Sequence, residues 1–186
     1  MDELELTQDR KRLLYLIAQF SKPSDSRDED ETWIKKIPLM ALIYFGIKNG
    51  ILVDYDYAPT LVDYMGTVRF ANISKEGEAD IADLRVEGLL KRLKLATSHH
   101  IYVSAYRITP NGLEYISSFD SDITNPIDAL IKCKTCAQIM SIEARDDSPY
   151  MVCKSCKEEI MVDIFNIREL AYVSRPIFSD IWLPID

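Results

Sequence analysis

Two hydrophobic periods alternate along the first 120 positions, and the switches between them mark the elements. Leu13, Leu14, Ile17 and Phe20 recur at helical spacing, which predicts a helix over 8–21 with Thr7 as its N-cap. A second, mostly buried helix is predicted over 32–49 from Trp33, Ile37, Leu39, Met40, Ile43, Tyr44 and Ile47. Asn49-Gly50 supplies its left-handed stop. Between the two, 22–31 holds a proline, two serines and five acids, the composition of a solvated loop whose charge could also meet a basic partner. From 51 to 73 the pattern turns extended, with one or two short strands. Tyr55, Tyr57 and Tyr64 there either fill ordinary strand positions, which tyrosine favours, or line an aromatic contact surface.

The next stretch carries more information. Residues 75–87 read as a helix with Ile81, Leu84 and Ala82 inward, stopped by Gly88. Leu89–Leu95 and Ile101–Ile108 alternate as two strands around a tip at Thr97-Ser98-His99-His100, and Thr109 caps a last helix with Pro110 in its first position. The run Leu84-Arg-Val-Glu-Gly88-Leu-Leu-Lys-Arg through Tyr106-Arg-Ile-Thr109-Pro-Asn-Gly112-Leu-Glu-Tyr-Ile116 resembles the recognition helix, wing and closing helix of winged-helix regulators. The resemblance covers 75–118 and extends to 8–118 by order of elements. It implies that Gly88 ends the third helix, that two strands form the wing, and that Thr109 and Gly112 open the helix after it.

All four cysteines of the chain stand further on, as Cys133-Lys-Thr-Cys136 and Cys153-Lys-Ser-Cys156, sixteen residues apart. Each C-x-x-C turn folds two sulfurs to one side, and an intervening hairpin brings the pairs face to face, so the spacing predicts a zinc ribbon with a four-thiolate shell. The competing reading, two disulfides, needs an oxidising compartment and a chain denser in cysteine. Four thiolates close a tetrahedral shell and leave no position for a substrate or water, so a zinc ion here is structural and contributes to the folding of its module. Ala137 and Lys157 occupy positions where zinc knuckles often carry glycine, because the backbone there commonly adopts positive φ.

The expected architecture is α+β: a winged helix-turn-helix domain over 1–120 with an acidic loop at 22–31, a linker over 121–130, a small four-cysteine zinc-ribbon β domain over 131–165, and a hydrophobic tail over 166–186. Within the ribbon and its end, Glu159–Phe165 is a predicted strand. The tail concentrates Ile177, Phe178, Ile181, Trp182 and Leu183, a surface that calls for burial. Two readings stay open for it, docking on the first domain or presentation of anchors to a protein partner.

Charge refines this picture. The net charge is −8 over 186 residues, which argues against a dedicated duplex binder. The charge is uneven, however. In the third helix Glu76, Glu78, Asp80, Asp83 and Glu87 oppose only Lys75 and Arg85, so phosphates would repel it. In the wing Lys91, Arg92, Lys94 and Arg107 stand without an acid, and His99 and His100 sit at its tip. The wing is therefore the surface for nucleic acid, for a protein partner, or simply for water.

Winged helix followed by zinc ribbon resembles the module order of the alpha subunit of transcription initiation factor E. That resemblance implies a regulatory or assembly role through contacts with proteins and nucleic acid, and supplies no catalytic residue. The sequence holds no P-loop, G-x-S-x-G, H-E-x-x-H or G-x-G-x-x-G, and only two histidines. The expectation is a non-enzymatic zinc-binding adaptor or regulator that acts through protein contacts of the winged helix and the tail. The alternative is a DNA-binding transcriptional regulator using the basic wing. The acidic N-terminus lacks the pattern of a secretory signal. The apolar stretch Ile37–Ile47 is about half of the ~20 residues a membrane span needs. An intracellular, membrane-free location is expected, in cytoplasm or nucleus, with the oligomeric state open.

Overall fold

A computed structural model describes residues 5–24, 31–95 and 103–167. Helix α1 (Gln8–Gln19) begins where the Thr7 hydroxyl accepts the Arg10 N–H at 3.3 Å, and it buries Leu13, Leu14, Leu16 and Ile17. The second helix starts later than its pattern suggests. Ile34 and Lys35 form a two-residue strand, β1, paired with Tyr106 and Ala105, and α2 runs Lys36–Lys48. Eight of its thirteen residues are buried. A helix apolar all round carries no periodic cue to where it starts.

Strands β2 (Ala58–Tyr64) and β3 (Thr67–Ile73) make a full hairpin. Its loop, Met65-Gly66, has φ of 51° and 82°, the double left-handed turn that matches strand twist. Tyr55 and Tyr64 are buried, and Tyr57 lies edge-on to Tyr44 at 4.9 Å, so these tyrosines fill the interior and form no exposed aromatic surface. Helix α3 (Lys75–Val86) follows, with the Ser74 hydroxyl accepting the Gly77 N–H at 3.1 Å and Gly88 at φ 76° beyond its end. Ile81 and Leu84 point inward, but Ala82 is exposed.

Strands β4 (Leu90–Leu95) and β5 (Val103–Ile108) pair antiparallel and, with β1, give a three-stranded sheet ordered β1-β5-β4. Helix α4 (Pro110–Ile116) opens on Thr109, whose hydroxyl accepts the Gly112 N–H at 3.0 Å and donates toward the Gly88 carbonyl at 2.8 Å. A Cβ on Gly112 would stand 2.5 Å from the Leu89 carbonyl oxygen. The threonine-x-x-glycine run is thus a close crossing of helix over strand, which only glycine permits.

Residues 121–130, expected as a linker, are helix. Helix α5 (Ser121–Ile131) is capped by Asp120, buries Ile123, Ile127, Leu130 and Ile131, and packs against α1. Pro126 hides it, because an interior proline removes the N–H that would bond the carbonyl four residues back. Here that carbonyl belongs to Asp122 and accepts the Arg12 guanidinium at 3.2 Å, while the same guanidinium reaches the Ile51 carbonyl at 2.8 Å. An arginine of α1 takes the place of the missing amide.

Beyond α5, strands β6 (Ser141–Ala144), β7 (Pro149–Val152) and β8 (Glu159–Met161) form an antiparallel sheet in sequence order. The strand expected over 159–165 ends at Met161. Past it the Ile164 carbonyl turns away to accept the Asn72 N–H of β3 at 2.8 Å. One buried cluster runs from Leu6 to Ile164, so both halves share a core. No described helix is long and apolar enough to cross a membrane.

The Arg12–Asp122 contact gives a specific test. Arg12→Met should lower unfolding stability by about 1–2 kcal/mol, and by less in a Pro126→Ala background, where the restored amide serves Asp122. Urea unfolding of the four chains gives the coupling; strict additivity would rule out the substitution of guanidinium for amide.

Candidate metal centre and exposed faces

The four cysteines converge from two turns built alike. After α5, the Cys133 N–H donates to the Gln138 carbonyl and the Ala137 N–H to the Cys133 carbonyl, both at 2.9 Å. In the second turn the Cys153 N–H donates to the Glu158 carbonyl at 2.8 Å and the Lys157 N–H to the Cys153 carbonyl at 2.9 Å, the same pattern. Ala137 and Lys157 adopt φ of 58° and 65°. The chain therefore takes the left-handed turn that these positions require without the residue that adopts it most easily.

The Sγ atoms of Cys133 and Cys156 are 3.3 Å apart, those of Cys136 and Cys153 3.3 Å, and those of Cys136 and Cys156 3.8 Å. All four lie within 4.8 Å of one another, and none is in a disulfide. Four sulfurs about 2.3 Å from a common centre stand roughly 3.8 Å apart in a regular tetrahedron, so the donor set has the size and chemistry of a four-thiolate metal shell. Cys133 and Cys153 are buried and Cys156 is exposed, which places the cluster at the edge of the core with one side toward solvent.

The thiols differ in acidity. The backbone N–H of Cys156 is the largest influence on Cys153 and brings its thiol down to about 6. Cys133 donates to the Glu158 carboxylate at 3.0 Å, which is the main cause of its rise to about 12. Glu158 also accepts the Thr135 hydroxyl at 2.9 Å, and these two donors hold it below the usual carboxylate range. A metal must displace the Cys133 proton, since only thiolate ligates.

The hairpin β2–β3 holds this module in place. Arg69 donates to the carbonyls of Asp146 at 3.0 Å and Asp147 at 3.1 Å and lies 4.6 Å from the centre of the Phe165 ring. The Tyr64 hydroxyl donates to the Arg145 carbonyl at 2.6 Å, and the Asn72 amide to the Asn166 carbonyl at 3.0 Å. Arg69 and Asn72 are not marked by the sequence pattern, and Tyr64 is marked only as a strand or aromatic-surface residue, because their partners in the module stand far along the chain. Strand alternation does place Tyr64 and Arg69 on different positions of one hairpin face, which is the signal that a hairpin register would have supplied.

Packing alters the basic strand pair β4–β5, expected as a wing. Lys91, Arg92 and Lys94 are exposed on β4, at the sheet edge. Arg107 is buried. It stacks 4.7 Å from the Trp33 ring centre and pairs with Glu31 at 2.7 Å, so it leaves the exposed basic set and ties the end of the acidic loop to the sheet. From sequence it reads as an exposed base, because Trp33 and Glu31, which enclose it on the central strand β5, stand far back along the chain. His99, His100, Ile177, Phe178, Ile181, Trp182 and Leu183 lie outside the described residues.

Most acids of α3 and its C-terminal end are also committed. Arg10 bonds Asp80 at 2.6 Å, bonds Asp83, and stands 3.9 Å from Glu87, while Glu78 pairs with Lys36 at 2.6 Å. The Tyr55 hydroxyl donates to Asp80 at 2.7 Å; burial and that carboxylate hold the phenol protonated. What α3 turns outward includes Ala79, Ala82 and Val86, the last 89% exposed.

The fold and the site define a mixed α+β protein with a clustered four-cysteine centre that can hold a metal ion. The chain belongs to the family described as the Uncharacterized protein MJ1567 family, whose model matches residues 9–161 and so reaches from α1 to β8. No curated protein matches it.

The strained turns can be relieved. Ala137→Gly and Lys157→Gly should each raise stability by about 0.5 kcal/mol, as relief of a left-handed cost of about 1–2 kcal/mol outweighs glycine's added chain entropy. Denaturant midpoints of the two variants measure this, and a lowered midpoint in both would contradict it.

Proposed function

We propose that the protein is a non-enzymatic adaptor or regulator, a winged helix joined to a zinc ribbon that acts by docking other proteins. The observation that carries this reading is the state of α3. In the order α1-β1-α2-β2-β3-α3-β4-β5, with sheet order β1-β5-β4, this reading takes α3 as the recognition helix, β4–β5 as the wing and β2–β3 as an insertion. Asp80 and Asp83 are engaged by Arg10 and Glu78 by Lys36, and the exposed positions of α3 are Ala79, Ala82 and Val86 with Lys75, Glu76 and Asp83, one base against two acids where base readout calls for arginine, lysine, asparagine or glutamine. The stripe Ala79, Ala82 and Val86 suits an apolar protein surface. The cysteine centre supports a structural part, because four thiolates around Zn²⁺ leave no open position for a reacting group.

Lys91, Arg92 and Lys94 on the edge of the sheet favour a second reading, a DNA-binding regulator that meets the phosphate backbone through β4. Salt dependence separates the two. Under the adaptor reading, the full chain binds duplex DNA and RNA weakly, and Lys91→Ala, Arg92→Ala and Lys94→Ala together change that little. Tight binding with a steep salt slope that disappears in the triple variant would transfer the function to the wing. Partner capture by the full chain, lost on Ala82→Glu and Val86→Glu, is the positive outcome for α3.

The zinc assignment has its own measurement. Reduced protein should carry about one Zn²⁺ per chain, and less than about 0.5 would refute the four-thiolate site. Removal of the ion should abolish hydrogen-exchange protection over 131–165 and loosen β2–β3, with α1 and α2 still protected.

A further inference from the structure

The hairpin β2–β3 has two unlike faces. Its inner face carries Tyr64, Arg69 and Ala71 and is closed by the core and the cysteine module. Its outer face presents Leu61 opposite Phe70 and Val68 beside the Met65 turn, exposed by 60%, 41%, 69% and 55%. Four large apolar side chains on one face of a two-stranded sheet form the kind of patch that soluble proteins cover. Two strands alone are marginal, and they gain stability from packing on both faces.

We infer that residues 168–186 of the same chain cover this outer face, with the cluster Ile177, Phe178, Ile181, Trp182 and Leu183 packed on Leu61, Val68 and Phe70. The course of the chain argues for this occupant. The last described residues run beside β3, where Asn72 holds the Ile164 carbonyl through its N–H at 2.8 Å and the Asn166 carbonyl through its side-chain amide at 3.0 Å. The segment 168–186 therefore leaves from the flank of the hairpin it is to cover. Residues 168–176 can span up to about 30 Å, and a seven-residue strand is about 23 Å long, so the apolar cluster reaches any point on the face. The two surfaces also match in chemistry. Asp63 is the one charged residue among the outward hairpin positions 61, 63, 65, 68 and 70, and residues 177–183 carry only Asp180 among their apolar anchors.

The inference goes beyond the adaptor reading, because it assigns the segment a seat within the chain and leaves partner contact to α3. The protein has two tryptophans, so Trp33→Phe leaves Trp182 as the single reporter. In that full-length chain Trp182 should emit at short wavelength and resist iodide quenching. Leu61→Glu or Val68→Glu should shift its emission to the solvent-exposed position and raise quenching severalfold. Val53→Glu, at an exposed position away from the hairpin, should do neither, and the mass in solution should be the same in every variant. Trp182 already exposed in the Trp33→Phe chain, or shielding that survives both hairpin variants, would overturn the inference. So would shielding that falls together with a change from a dimer to a monomer, which would make a second copy the donor. A further measurement does not depend on how the charged variants fold. Para-benzoylphenylalanine in place of Trp182 should cross-link to the peptide spanning 61–70 of its own chain; a link anywhere else refutes the seat.

Discussion

The strands of the cysteine module are four, four and three residues long, and a sheet of that size cannot bury a core by itself. It has to be held from two sides, and much of the architecture answers this constraint. On one side the four sulfurs converge at the ends of the two turns. On the other, Met140, Met151, Val162 and Ile164 join the buried cluster of the helical body. The hairpin inserted between α2 and α3 completes the joint, with Arg69 bound to two backbone carbonyls and lying over Phe165. Guanidinium bonds to main-chain oxygens fix position independently of side-chain identity on the partner. The turn at 146–147 can therefore be acidic and still serve as the anchor.

Arginines of α1 solve a related problem on the other flank. Arg12 supplies a donor where Pro126 withholds one, and Arg10 gathers three carboxylates from α3 and its C-terminal end. Removing either would leave polar groups in partial burial without a partner, which is the costly outcome for such networks. Part of the chain's acidity is consequently structural. Its net charge gives a poor measure of what any one face offers to solvent.

The elements whose signals are local were legible in the sequence. Thr7 and Thr109 cap their helices, Gly88 stops α3, Gly50 turns left-handed after α2, and the two C-x-x-C pairs come together at metal-shell distances. The features that escaped depend on distant partners. The strand β1 is only two residues and is defined by pairing with Tyr106 and Ala105. Helix α5 carries an interior proline that local propensity counts as a break. Arg107 reads as a basic strand residue until Trp33 and Glu31, far back along the chain, are seen to enclose it. The candidate metal site was thus readable almost in full, because its ligands are set by turn geometry within four residues. The exposed faces were not, because exposure is a property of the whole packing.

That difference bears on where activity is to be sought. A wing with four bases would make a phosphate clamp; with Arg107 withdrawn, three remain, all on one edge strand. Each lost phosphate contact removes nearly one unit from the salt slope of binding, so burial of a single arginine weakens a small electrostatic site disproportionately. The acids of α3, partly offset by Arg10 and Lys36, repel a partner less than their number suggests, and Ala79, Ala82 and Val86 form an apolar stripe beside the exposed Lys75, Glu76 and Asp83. The two shifts act oppositely on phosphate: burial of Arg107 weakens its attraction to the sheet, and pairing of the α3 acids eases its repulsion. Protein docking is the stronger of the two proposed readings because the exposed bases are confined to one edge strand, while α3 presents no basic cluster and carries an apolar stripe.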